Sequence, residues 1–286
     1  MSILLDPLQF EFMQRALLAV VLIGAVSGVI GAYVVTRGMA FLGDALAHSV
    51  LPGVAIAYIS GASGQGLLLG GLVAGILAAL GIGFLTRGSR LAEDTAIGIV
   101  FAGMMALGIA IISSTRNYSV DLTHVLIGNI LAVDATDLTL IAAAGVIVVV
   151  VIVVFYKEFL VVAFDPTLAQ TLRLPAEALR LLLLVLLAIT IVIGVQVVGV
   201  ALVSAMLVTP AATARFYVRR LHHMMLLAAL IGAVSSVAGL YAAWYIQIAP
   251  SAAIVLTLMV VFLATFFLAP GKGYLWSLLG RSARAA

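Results

Sequence analysis

Long apolar stretches separated by short polar breaks dominate this chain, at about 16–36, 39–60, 66–86, 95–113, 137–156, 181–214, 224–246 and 251–269. A helix needs about 20 apolar residues to cross a bilayer core, and all but one of the stretches have that length. None alternates with period two, as the strands of an outer-membrane barrel would. The pattern therefore predicts an all-α polytopic membrane protein. The 181–214 run is too long for one crossing, and Gly194-Val-Gln-Val-Val-Gly199 offers a turn inside it. Read as two passes, it gives nine spans; read as one broken helix, it gives eight.

Composition agrees with a membrane protein. Of the 286 residues, 65% are hydrophobic and 9% charged, with mean hydropathy +1.33. A soluble domain carries about 25% charged residues. Cysteine is absent, which excludes disulfides and thiolate metal sites. The pI near 9.4 comes with a net charge of only +3, so no nucleic-acid partner is expected. The basic residues instead gather at span ends, where they set topology. With nine spans and the N-terminus outside, only Arg15 and Arg116 of the 14 Lys and Arg fall on the outer face. Asp6 and Glu11 replace a basic n-region, so residues 1–15 read as an extracytoplasmic N-terminus rather than a signal peptide.

This orientation makes 157–180, 209–223 and the tail 270–286 cytoplasmic parts of a single 1–286 transmembrane domain. In the first loop, Asp165 before Pro166 matches a helix N-cap with proline at the first helical position. A short helix ending near Pro175 would serve as a docking handle or as a plain interfacial connector. The outer segment 114–136 carries Asp121, His124, Gly128 and Asn129. Tyr241, Trp244 and Tyr245 suit an interfacial aromatic belt, and Glu93-Asp94-Thr95 suits a capped helix start.

The chemistry concentrates in Gly43-Asp-Ala-Leu-Ala-His-Ser-Val-Leu-Pro-Gly53. Asp44 and His48 lie four residues apart on one helical face, with Cβ atoms about 6 Å apart. A carboxylate deep in a membrane helix costs about 2.5–3.5 kcal/mol, and such residues mark ion or substrate paths. The pair could share a metal ion, or form a buried ion pair that locks one helix against another. Two ligands are too few for a metal, and a two-fold second copy would supply two more. Carboxylate and imidazole donors suit manganese, iron or zinc. His124 is a candidate entry ligand or a packing residue, and His222-His223 reads as an interfacial basic cluster. No G-x-x-x-x-G-K-[ST] motif occurs, so a pump would draw its energy from another subunit. A membrane hydrolase would need more catalytic partners than this pair, and a secondary carrier more intramembrane charge.

Five ordered motifs then identify a family: Arg37-Gly-Met-Ala-Phe-Leu-Gly-Asp-Ala-Leu-Ala-His-Ser-Val-Leu-Pro-Gly53, Glu93-Asp-Thr-Ala-Ile-Gly-Ile99, Asp121-Leu-Thr-His-Val-Leu-Ile-Gly-Asn129, Phe164-Asp-Pro166 and Thr209-Pro-Ala-Ala-Thr-Ala-Arg215. From about residue 10 to 270 the chain resembles the permease subunits of bacterial zinc/manganese/iron ABC importers. The resemblance implies a type II importer fold in the bacterial inner membrane, working as a homodimer. It also implies two cytoplasmic ATPases that use ATP and an extracytoplasmic metal-binding protein. It places the transported metal at Asp44 and His48, and ATPase coupling around Phe164, Asp165, Pro166, Leu168 and Arg173. The length leans toward the manganese branch; a permease for a siderophore-like or cobalamin-like chelate is the rival within transport. Arg173 stands where the family's coupling motif has glycine, which removes a flexible C-cap.

Overall fold

A computed structural model of the chain describes residues 6–62, 64–87, 91–114, 128–269 and Tyr274. The long helices are α1 (Glu11–Thr36), α4 (Gln65–Thr86), α5 (Glu93–Ser113), α6 (Ala135–Val154), α9 (Ala176–Val198), α10 (Val200–Tyr217), α11 (Leu221–Ile246) and α12 (Pro250–Leu268). The second span is split into α2 (Leu42–Ser49) and α3 (Leu51–Ile59), and two short helices, α7 (Tyr156–Phe164) and α8 (Pro166–Thr171), precede α9. Among the described residues nine helical segments are long and apolar enough to cross a membrane, the α2–α3 pair counting as one.

Three boundaries differ from expectation. Helix α9 runs straight through Gly194, and the break falls at Gly199 alone, whose φ of 85° puts it in glycine's territory. A single left-handed residue is enough to end one helix and start the next. The 209–223 stretch, expected as a basic connecting loop of helical propensity, is helical through Tyr217 and again from Leu221, leaving only Val218–Arg220 between spans. Pro210 lies inside α10 without ending it. At the other end, α1 begins at Glu11, within the segment expected to precede the first span.

The centre of the bundle is α1 against α10 and α11, with α9 packed on α4 and α6. Lipid tails are as apolar as leucine, so membrane helices gain stability from close packing and not from hydrophobic segregation. Small residues make that packing possible here. Gly24 and Gly28 of α1 face Ala228 and Gly232 of α11, and a Cβ at Gly28 would lie 2.6 Å from the Ala228 carbonyl oxygen. Gly53 of α3 and Gly70 of α4 abut each other's backbone in the same way. Helices α5, α6 and α12 are mostly exposed and form the rim.

The packing fixes an expected outcome. Gly28→Val should destabilise the folded permease by about 2 kcal/mol or more through overpacking against backbone that cannot yield. Gly103→Ala on α5, where a Cβ meets nothing within 4 Å, should be neutral or slightly stabilising. Thermal unfolding of both variants in detergent checks the contrast; equal midpoints would refute it.

Candidate metal site

Helix α1 ends at Thr36, and Gly38 (φ 73°) turns the chain back so that Met39 N–H reaches the Val34 carbonyl at 3.0 Å. This left-handed closure satisfies the helix end and delivers the chain into α2. Four elements surround α2, namely α4, α5, α9 and α10. Leu42, Gly43, Ala45, Leu46, Ala47 and Ser49 are buried among them. Asp44 and His48 are not: their side chains are 42% and 29% exposed on the remaining side. Pro52 then follows in α3 and has no amide for the His48 carbonyl four residues earlier, which breaks the span as the sequence suggests.

His48 Nε2 lies 3.9 Å from Asp44 Oδ1. Two donors each about 2.1 Å from one metal ion stand no more than about 4.2 Å apart, so the pair can ligate jointly without moving. The Phe101 ring of α5 sits 5.8 Å from the His48 ring and 5.8 Å from Phe41, edge-on to both. Among the described residues no third His, Cys, Asp or Glu joins the pair. One chain therefore offers half a coordination shell, open on one side. His124 and Asp121 lie outside the described residues. His222 meets the Tyr156 hydroxyl at 3.4 Å and the His223 ring at 4.1 Å, with no acidic partner among these contacts.

The second feature is the segment before α9. Asp165 Oδ1 accepts the Leu168 N–H at 2.9 Å, so Asp165 caps α8 and Pro166 occupies its first position, as its sequence predicts. Ala169 is buried, whereas Phe164, Leu168 and Leu172 are 59%, 43% and 55% exposed. Three large apolar side chains thus stand uncovered at one end of the bundle. Leu172 lies in the Thr171–Pro175 ending of the coupling motif, but the sequence does not single it out as a coupling residue. Arg173 has φ 53°, and Leu174 N–H closes on the Ala169 carbonyl at 3.0 Å. Arginine therefore adopts the left-handed C-cap that glycine occupies in most helices of this ending. Glu93 does not cap α5 either: Ala92 holds the N-cap position with no side-chain bond, and the Glu93 carboxylate turns to arginines.

Among the described residues nine apolar helical segments carry one half-open acid–imidazole pair, an arrangement that fits a membrane permease subunit. The chain belongs to the ABC 3 transport family, which matches residues 9–269. It is 45% identical over 270 residues to the manganese transport system membrane protein MntC of Listeria monocytogenes, covering 94% of this chain and 95% of that one. It is 42% identical to the manganese import system permease protein ScaB of Streptococcus gordonii, covering 93% and 94%. Among solved structures, PsaBC from Streptococcus pneumoniae in complex with Fab superposes with a TM-score of 0.82 at 41% identity, over 95% of this chain and 97% of that chain.

Strain at Arg173 makes a test. A left-handed non-glycine residue costs about 1–2 kcal/mol, so Arg173→Gly should firm the end of α8. Hydrogen exchange at the Leu172 and Leu174 amides should slow. Faster exchange would mean that the arginine side chain anchors this turn.

Proposed function

We propose that the chain is the membrane-spanning half of an ATP-driven importer for manganese or a neighbouring divalent transition ion. The observation that carries this reading is the open side of α2. A carboxylate and an imidazole on an otherwise buried membrane helix cannot be left facing hydrocarbon. A second copy of the chain related by a two-fold axis covers them and brings a second Asp44 and His48 to the same point. The four donors then form a shell that suits manganese, iron or zinc, with manganese favoured by the names of the relatives.

The metal is cargo, supplied from outside by an extracytoplasmic binding protein and released inward. The lysine and arginine distribution sets the N-terminus outside and the C-terminus inside. This orientation puts α8 on the cytoplasmic face, where Phe164, Leu168 and Leu172 offer an apolar surface to an ATPase subunit. Asp165, Pro166 and Arg173 shape that surface rather than bind nucleotide. ATP is bound and hydrolysed by the partner.

Two outcomes follow. In a strain lacking the gene, wild type should restore cellular manganese, and Asp44→Ala or His48→Ala should lower the restored uptake at least about tenfold. Elemental mass spectrometry with membrane levels checked reads this; full restoration by both variants would make the pair structural. Separately, Leu168→Asp should abolish copurification of the ATPase while leaving the permease folded, because it puts a charge into the apolar contact. Undiminished copurification would remove α8 from the coupling surface.

A further inference from the structure

Four charged side chains meet where α1 turns into α2. Arg37 Nη2 stands 3.7 Å from Glu93 Oε2, and Arg180 Nη1 stands 3.3 Å from Glu93 Oε1. Arg180 Nη2 also reaches Glu177 Oε2 at 3.2 Å and donates to the Gly83 carbonyl at 2.9 Å, while Nη1 donates to Thr86 Oγ1 at 2.5 Å. The side chains of Arg37, Glu93 and Arg180 are 14%, 26% and 11% exposed. This single knot ties the α1–α2 turn to the end of α4, the start of α5 and the start of α9. Helices α4, α5 and α9 are three of the four elements that wall α2.

The knot lies directly beyond the metal pair. Phe101, which touches both His48 and Phe41, sits eight residues along α5 from Glu93, about 12 Å at 1.5 Å per residue. Arg37 precedes Asp44 by seven residues in the turn that opens α2. Along the chain Arg37 is followed by Phe41, Asp44 and His48, and Phe101 of α5 touches both Phe41 and His48.

Stability does not account for this arrangement. A buried ion network returns little more than its own desolvation, whereas removing one member leaves the others uncompensated. Burial works against the charged form of Arg37, and the Glu93 carboxylate is the main attraction opposing it. Arg180 repels Arg37, and Glu177 partly offsets that repulsion. Glu93 is thus the carboxylate in contact with both arginines, whereas Glu177 contacts Arg180. Glu93 does not serve as a helix cap.

We propose that Glu93 is the hub of an inner latch, which closes the path beyond Asp44 and His48 by joining Arg37 to Arg180 and releases one arginine in each transport cycle. The latched state also sets a guanidinium in front of any divalent cation leaving the pair. The proposal rests on the reading of the chain as a metal importer, and the experiment separates the two.

The permease with its ATPase is placed in liposomes together with its extracytoplasmic binding protein, and manganese is the only substrate given. Wild type should accumulate manganese only with ATP; failure of that control sinks the importer reading and says nothing against the knot. Glu93→Gln keeps the shape and removes the charge, so ATP-independent manganese leak should rise about tenfold, and Glu93→Asp should return it toward wild type. A leak unchanged from wild type in Glu93→Gln would overturn the latch. Because the chain has no native cysteine, Arg37→Cys/Glu93→Cys can be bridged selectively with a short cleavable thiol reagent. Bridging should stop ATP-driven uptake, and cleavage should restore it. Uptake at the unbridged rate while bridged would show that this contact never opens, and this second arm holds even if Glu93→Gln fails to assemble.

Discussion

A membrane helix cannot leave a carboxylate and an imidazole facing hydrocarbon, and the arrangement of this protein answers that constraint. Six residues of α2 are buried on neighbouring helices, and the two that remain are the only polar ones with charge to offer. Burying them would have cost a pairing partner within the chain. Left open, they are what the proposed second copy would cover. The half-filled coordination shell and the open side are thus one feature seen twice.

The bundle around α2 is built on backbone proximity. Glycines at 24, 28 and 232 bring α1 and α11 together, and those at 53 and 70 do the same for α3 and α4. In lipid, such contacts supply the dispersion energy that a soluble core would draw from hydrophobic burial. The second span can then be short and broken, because its neighbours enclose it. Pro52 uses that enclosure: it has no amide for the His48 carbonyl, which accepts from the Val50 N–H instead.

Much of this is legible in the sequence, and the illegible part has a physical cause. Spans are set by length and hydropathy, which are local, so their existence reads directly. The Asp165 cap reads equally well, because Asp-Pro encodes its own geometry within three residues. Boundaries that depend on one glycine do not: Gly194 and Gly199 look alike in the chain, and only packing of α9 against its neighbours decides which one turns. The helical propensity of the stretch from Thr209 to Tyr217 is legible, but its place inside the span is set by a buried face on Leu207, Ala211 and Ala214. Glu93 was legible as a helix start but not as the partner of two arginines more than fifty residues away on either side. Side chains that meet across a bundle leave no periodic trace.

The covalent order of the chain joins the two ends of the mechanism. Helix α8 carries the exposed Phe164–Leu168–Leu172 surface and ends in the strained turn at Arg173. Pro175 follows at once, and the first turns of α9 hold Glu177 and Arg180. A displacement of α8 by a partner therefore arrives at Arg180 through a connection of only a few residues, one of them in a left-handed conformation that resists further bending. Arg180 contacts Glu93, and Glu93 contacts Arg37 in the turn that begins α2. Coupling of this kind needs a contact with two discrete states rather than a continuous wire. An ion network whose formation and dissolution are close in free energy supplies one, because its Coulomb gain and its desolvation cost nearly cancel. An apolar contact in the same place would lack that balance, which is a physical reason for charges to sit where the rest of the bundle excludes them.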